Sequence, residues 1–359
     1  MKICIIFGTR PEIIKFSPII RELERLDLGF FIIHTNQHYT PYMDSLFLEQ
    51  LKLPKAKYNL NIGSGKHGEM TGRMIIEIEK VLIKEKPDVV LVQGDTNTVL
   101  AGALSAVKLH IKIGHVEAGL RSYFKKMPEE TNRILADHCS DYLFAPTKNA
   151  KSILLRENIP EKNIFVTGNT VVDAVFQNLE LADKKSDILN KLKLKEQEYF
   201  LVTAHREENV DDKNRLKGII EGLNKISEEY NLPVIYPIHP RTAKKIKEFQ
   251  IEIGNIRLLQ PLSYLDFIKL MKNSRLVLTD SGGIQEETCI MQIPCVTLRD
   301  NTERPETLEV GSNILAGIEP KKIILSVKKV INKPRIWHNP FGEGKSGKKI
   351  IEIIKNDNT

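Results

Sequence analysis

Cysteine is scarce in this chain of 359 residues: Cys4, Cys139, Cys289 and Cys295 are its only thiols. So few thiols, none at C-x-x-C spacing, make neither a disulfide framework nor a structural zinc site, and they suit buried positions in a reducing cytoplasm. Aromatic residues contribute only 6%. With no aromatic-rich RNA-binding signature, zinc knuckle or basic-region block, nucleic acid is not an expected partner despite a net charge of +7. Long apolar runs are missing as well. Residues 1–7 are too short a run for a signal-peptide core and lead into a charged loop, so they read as a first strand, and no membrane segment is expected. A Walker loop, G-x-S-x-G and H-E-x-x-H are also absent, and no residue set resembles hydride-transfer or nucleophile machinery.

What is present is ordinary globular composition, 41% hydrophobic and 28% charged, in a chain longer than a single core usually sustains. The basic residues are spread over many segments, which gives a modest positive field suited to an anionic substrate. Short apolar runs alternate with amphipathic stretches throughout, the pattern of α/β architecture with parallel sheets. Strands are expected at 2–7, 30–35, 89–94, 112–116, 142–145 and 164–167, with clear helices at 11–26 and 69–84. Met70, Met74, Ile78 and Leu82 make a core stripe on the second helix. The stretch 181–198 is charged and without strand pattern. A second alternating series follows, with strands at 199–203, 234–238, 256–260, 276–279 and 295–298. Residues 1–168 and 169–342 therefore form two doubly wound domains, and 343–359 end the chain as a glycine-led helix. Ligands of such domains bind at the carboxyl ends of the strands, and here the polar motifs sit at those ends.

The most telling stretch is 275–287, in which an apolar run ends in Thr279-Asp280-Ser281-Gly282-Gly283 before polar residues at helical spacing. It reads as strand, glycine turn and helix N-terminus. There the backbone N–H groups of Ser281, Gly282 and Gly283 and the positive end of the helix dipole favour a phosphate, with Glu286 or Glu287 placed for ribose hydroxyls. A serine N-cap on an ordinary packing helix is the plain alternative. Arg10, in the turn after the first strand, and Lys15, one helical turn beyond Pro11, supply two cations suited to a diphosphate. Asp95 and Glu117 follow other strands, and Glu129 opens a helix. Converging in a partly desolvated site, three carboxylates would raise one another's pKa values, leaving one as acid and another as base. His205 follows the first strand of the second half, and His239 has a similar location. The combination points to acid/base chemistry on a diphosphate-linked substrate.

Taken together, Phe7-Gly8-Thr9-Arg10-Pro11-Glu12, Gln93-Gly94-Asp95-Thr96, His115-Val116-Glu117-Ala118-Gly119-Leu120-Arg121, Pro128-Glu129-Glu130-Thr131-Asn132-Arg133, Thr203-Ala204-His205-Arg206-Glu207-Glu208-Asn209 and the motifs at 279–287 and 299–306 resemble the non-hydrolysing UDP-N-acetylglucosamine 2-epimerases from residue 2 to the final helix. The resemblance implies a GT-B-like pair of Rossmann-type domains facing a central cleft, in a cytoplasmic homodimer. It also implies reversible conversion of UDP-N-acetylglucosamine to UDP-N-acetylmannosamine for glycan synthesis, with neither metal nor redox cofactor. Carried over by motif, Asp95, Glu117, Glu129 and His205 are catalytic. Arg10, Lys15, Arg133, His239, Leu262, Phe267, Ser281, Gly282, Gly283, Glu287 and Arg304 bind substrate, with Phe267 packing near the uracil. The final helix is expected to return to the first domain.

Two departures accompany the resemblance. Glu207 stands where many bacterial relatives carry a second arginine, near the place where an activating nucleotide sugar binds in some of them. The stretch 63–73 and the residues around Arg121 and Glu129 are also similar to a sister group acting on UDP-2,3-diacetamido-2,3-dideoxyglucuronic acid. That substrate, a hydrolysing epimerase, a GT-B glycosyltransferase and a UDP-sugar sensor without chemistry are the competing readings.

Overall fold

The computed structural model describes residues 1–36 and 47–357. It divides into two compact units, Met1–Gln177 with Phe341–Thr359, and Asn178–Pro340.

The first unit is a seven-stranded parallel sheet in the order β3-β2-β1-β4-β5-β6-β7. Its strands are β1 (Lys2–Phe7), β2 (Gly29–His34), β3 (Tyr58–Asn59), β4 (Val89–Gln93), β5 (Lys112–Val116), β6 (Tyr142–Ala145) and β7 (Ile164–Val166). Ile3 through Phe7 and Val89 through Val92 are all fully buried. Helices cover both faces of such a sheet, so its central strands read as continuous apolar runs rather than alternating ones. Methionine and isoleucine positions on helix His67–Glu85 are buried at helical spacing, as expected: Met70, Met74, Ile78 and Leu82. Gly63, Gly65 and Gly68 happen to satisfy the G-x-G-x-x-G spacing. They follow the two-residue edge strand β3, however, and not a central strand, so they lack the context of a dinucleotide fingerprint.

Helix Arg10–Arg25 carries Pro18 in its interior. Proline has no N–H for the carbonyl four residues back, and that orphaned carbonyl, on Ile14, accepts instead from the Ser17 hydroxyl at 2.8 Å. Pro18 also meets the C-terminal helix Ser346–Asp357. A Cβ on Gly347 would lie 3.0 Å from the Pro18 backbone, so glycine is needed for the two helices to approach this closely. The Asp173 carboxylate accepts both the Ser346 and Gly347 N–H groups at 3.1 Å, seating the start of that helix. Residues 358 and 359, the last of the expected C-terminal segment, lie outside the described residues.

The second unit is a six-stranded parallel sheet, β10-β9-β8-β11-β12-β13. It is built from β8 (Phe200–Thr203), β9 (Val234–Pro237), β10 (Arg257–Leu259), β11 (Leu276–Thr279), β12 (Cys295–Thr297) and β13 (Asn313–Leu315). Phe200, Val202, Tyr236, Leu276, Leu278 and Val296 lead its core. Both units are thus Rossmann-type, the two-domain α/β arrangement of the GT-B class. No described helix is long and apolar enough to cross a membrane.

Strand order decides where a ligand belongs. The strand order of each parallel sheet reverses at one pair of central neighbours, β1 and β4 in the first unit and β8 and β11 in the second. Loops leaving the two strands of such a pair diverge to opposite faces, opening a crevice at their carboxyl ends.

Candidate active site

In the first unit the reversal point is lined by the turns after β1 and β4. A Cβ on Gly8 would fall 2.3 Å from the hydroxyls of both Thr35 and Thr98, so the turn after β1 closes only on glycine. The buried Glu12 carboxylate then bridges the two turns: it accepts the Gly8 N–H at 3.0 Å and the Thr9 hydroxyl at 2.7 Å on one oxygen, and the Thr96 hydroxyl at 2.9 Å on the other. Burial pushes its pKa up to about 7 in spite of these donors. Arg10 stands exposed beside this turn, its guanidinium 5.6 Å from the centre of the Phe47 ring.

The acids do not sit together as bare charges. Asp95, just past β4, pairs with Arg133 at 2.5 Å, while Glu117, just past β5, pairs with Lys15 at 2.5 Å and also accepts from the Gln93 side chain. The expected mutual repulsion of three carboxylates is therefore replaced, for two of them, by individual cation partners. Glu117 holds φ at +72°, a left-handed conformation unusual for glutamate, as the chain turns sharply out of β5. Glu129, half-buried in the first turn of helix Pro128–Cys139, has no hydrogen-bond or ion-pair partner among the described residues. Its neighbour Glu130 is the structural one. It accepts from Ser122 N–H at 2.9 Å, Tyr123 N–H at 2.8 Å and Arg133 at 2.7 Å, and these donors outweigh burial to hold its pKa below the usual carboxylate value.

Beneath the acids lies a buried charged network. His115 meets Asp137 at 2.6 Å through Nδ1 and donates from Nε2 to the Gly94 carbonyl at 2.8 Å, and Arg121 meets the other Asp137 oxygen at 2.7 Å. Burial alone would lower the His115 pKa, but Asp137 outweighs it and the net shift is upward, favouring the charged ring. Through Gly94 the network fixes the turn that carries Asp95.

In the second unit the reversal point joins the turn carrying His205 to the glycine turn. Ser281 occupies the N-cap position of helix Gly282–Ile290 with extended backbone, yet its side chain makes no capping hydrogen bond. That favours the anion-seat reading over the plain serine cap, because the first N–H groups of the helix are not taken up by the serine oxygen. Glu287 accepts from the Tyr264 hydroxyl at 3.2 Å, whereas Glu286 pairs with Arg304 at 2.7 Å, which separates the two glutamates the sequence left open. Leu262 and Phe267 are half-buried, on the approach to and within helix Tyr264–Lys272. His239 caps helix Pro240–Phe249, accepting the Arg241 N–H on Nδ1. Its ring centre lies 6.1 Å from that of His205, and burial, the nearby His205 and Arg241 all depress its pKa. Arg299 binds Glu303 through both terminal guanidinium nitrogens at 2.8 and 2.9 Å. This pairing overcomes burial to pull the Glu303 pKa down to about 2.

Each sequence-chosen residue thus lies on a strand-end turn or the helix that follows it. Glu12, Gln93, His115, Asp137 and Asp280 were not singled out as site residues. Their signal is weak in sequence, because a glutamate in a helix's first turn or an aspartate beside a serine serves as readily for dipole complementarity or capping.

Known proteins resemble this chain over nearly its whole length. The sequence profile of the family described as UDP-N-acetylglucosamine 2-epimerase matches residues 21–355. A UDP-N-acetylglucosamine 2-epimerase of Methanocaldococcus jannaschii is 59% identical over 99% of both chains. The crystal structure of that organism's enzyme in complex with UDP-GlcNAc and UDP superposes with a TM-score of 0.91, covering 99% of this chain and 100% of that one. The UDP-2,3-diacetamido-2,3-dideoxy-D-glucuronate 2-epimerase of Pseudomonas aeruginosa is 42% identical over 99% of both chains. From its strand-end motifs to its full-length match, this chain belongs to the UDP-N-acetylglucosamine 2-epimerase family.

Proposed function

We propose that the protein is an isomerase interconverting UDP-N-acetylglucosamine and UDP-N-acetylmannosamine. The observation that carries the reading is 59% identity from end to end with a relative of that activity. The lower 42% identity to the diacetamidoglucuronate enzyme places the sister substrate second.

The chemistry follows from a difficulty at C2. Its proton is not activated by a neighbouring carbonyl, so direct abstraction is slow. Breaking the C1–O bond to UDP while the C2 proton is removed gives a glycal, and returning UDP to C1 with a proton delivered to the other face of C2 completes the inversion. The departing diphosphate carries the developing negative charge, which Arg10, the Ser281 hydroxyl and the N–H groups of Gly282 and Gly283 stabilise as preorganised donors, the Ser281 N–H being taken up by the Thr279 hydroxyl at 3.0 Å. Asp95, Glu117 and Glu129 exchange the C2 proton and support positive charge at C1, and His205 serves the departing phosphate. Lys15, Arg133, His239 and Arg304 hold the diphosphate and the neighbouring acids, while Leu262, Phe267 and Glu287 hold the nucleoside. The working unit is a cytoplasmic homodimer.

Proton NMR with UDP-N-acetylglucosamine in heavy water tests the reading. Deuterium at C2, appearance of the manno isomer and retention of UDP are expected. Stoichiometric free UDP would instead identify a hydrolysing enzyme, and turnover of only the diacetamido-uronate sugar would move the substrate to the sister group.

A further inference from the structure

Asp280 is wholly buried at the end of β11, one residue before the glycine turn, and its carboxylate is aimed at the loop carrying His205. One oxygen, Oδ2, accepts the backbone N–H groups of His205 and Arg206, both at 2.9 Å, and the Asn209 side-chain amide at 3.2 Å. The other, Oδ1, has no hydrogen-bond partner and stands 3.5 Å from His205 Nδ1. A buried carboxylate oxygen without a donor is costly, and the nearest available donor is that imidazole nitrogen. The contact is in ion-pair range and longer than a hydrogen bond, as catalytic contacts often are before substrate binds.

We infer that Asp280 is a positioning residue for His205, keeping the imidazole proton on Nδ1 so that Nε2 is the atom presented to the departing diphosphate. The inference rests on the proposed role of His205. In the elimination, the proton on Nε2 of the imidazolium passes to the leaving phosphate oxygen as the C1–O bond breaks, leaving the neutral ring protonated on Nδ1. On re-addition the proton returns to Nε2. Asp280 offsets the imidazolium charge and takes no proton in either direction, the division of labour of a buried orienting carboxylate.

The other groups around His205 in this unit suit the assignment. His239 lies across from it at the end of β9, and its Nδ1 accepts the Arg241 N–H, so its own proton belongs on Nε2. Arg241 is taken up by Glu207 and Asp211, and Arg206 lies 3.8 Å from Glu303. Among the described groups of the second unit, Asp280 is thus the carboxylate in reach of the His205 ring. The two neighbouring histidines should carry opposite tautomers.

Nitrogen-15 NMR of histidine-labelled protein reads this directly, with His205→Asn and His239→Asn identifying the two rings. The expected result above the titration midpoint is a pyrrole-type Nδ1 and pyridine-type Nε2 for His205, and the reverse for His239. Asp280→Asn, checked for folding by circular dichroism, should shift the alkaline limb of the kcat profile to lower pH, because the imidazolium that donates the proton loses its anionic partner. A His205 ring with its proton on Nε2, or one averaging both tautomers, overturns the inference, and this measurement needs no variant at position 280. The expected tautomers in a protein that does not epimerise UDP-N-acetylglucosamine would instead count against the functional reading, so the two failures are distinguishable.

Discussion

Lys15 brings its ammonium 2.5 Å from the Glu117 carboxylate, linking the second turn of the helix after β1 to the sharp turn after β5. Both side chains are largely withdrawn from water, at 14% and 5% exposure, so the contact is screened far less than a surface pair. It pairs a proposed diphosphate ligand with a proposed proton-transfer group. A substrate that engages Lys15 would thereby loosen the partner of Glu117 and alter its basicity at the moment of reaction.

Replacing Glu117 by Gln keeps the size of the side chain and removes its basicity. Turnover should fall by about 10²–10⁴-fold, the usual contribution of a general acid or base, with UDP affinity little changed. Exchange of the C2 proton into deuterium oxide and calorimetric titration with UDP measure the two quantities separately, and near-normal exchange would remove Glu117 from the mechanism.

Gly283→Ala separates folding from anion binding. A Cβ there meets nothing nearer than the Ser281 hydroxyl at 4.0 Å, so the protein itself has room for it, and alanine is the better helix former by about 0.5–1 kcal/mol. Thermal stability should hold or rise slightly while UDP affinity falls about tenfold, or about 1.4 kcal/mol, because the methyl group occupies the approach of the phosphate. Unchanged UDP affinity would remove this turn from the phosphate site.

Asp137→Ala should destabilise the protein by about 3–5 kcal/mol, read from urea unfolding, since it strands the buried His115 without its carboxylate and leaves Arg121 with Glu157 alone. A loss under 1 kcal/mol would mean that the network beneath Gly94 contributes little to holding the fold.

Glu12 makes a pH signature. Its pKa is raised from 4.5 to about 7 in the folded protein, so the native state binds this proton more tightly than the unfolded chain does. Its contribution is fully present below pH 4.5 and is lost as the pH rises towards 7. Glu12→Gln should remove that component, so the stability difference between variant and wild type should move in favour of the variant between pH 5 and pH 8. Urea midpoints at the two values test it, and a difference independent of pH would show that Glu12 ionises as it does in water.

Much of the fold is legible in the sequence. Strands at 2–7, 112–116, 142–145 and 276–279 agree residue for residue with β1, β5, β6 and β11. A parallel strand covered on both faces leaves an unbroken apolar run between polar turns. Tyr58–Asn59 and Asn313–Leu315 are not expected from the sequence, because β3 is two residues long and β13 opens on a polar asparagine, so neither makes an apolar run and each is defined by its pairing with β2 or β12.

The candidate site divides in the same way. Arg10, Asp95, Glu117, His205 and the glycines after Ser281 could be chosen from the sequence, because a polar residue immediately following an apolar strand is local information. Their partners were not local. Lys15 with Glu117 spans 102 positions, and Asp280 with the His205 backbone spans 75. The α/β class, the strand-end motifs and the family they belong to are legible in residue order. Which acid meets which cation, that Glu286 and not Glu287 binds Arg304, and that Asp280 lies beneath His205 follow from packing between distant segments. Those pairings depend on strand order, which brings β1 beside β4 and β8 beside β11 across long stretches of intervening chain.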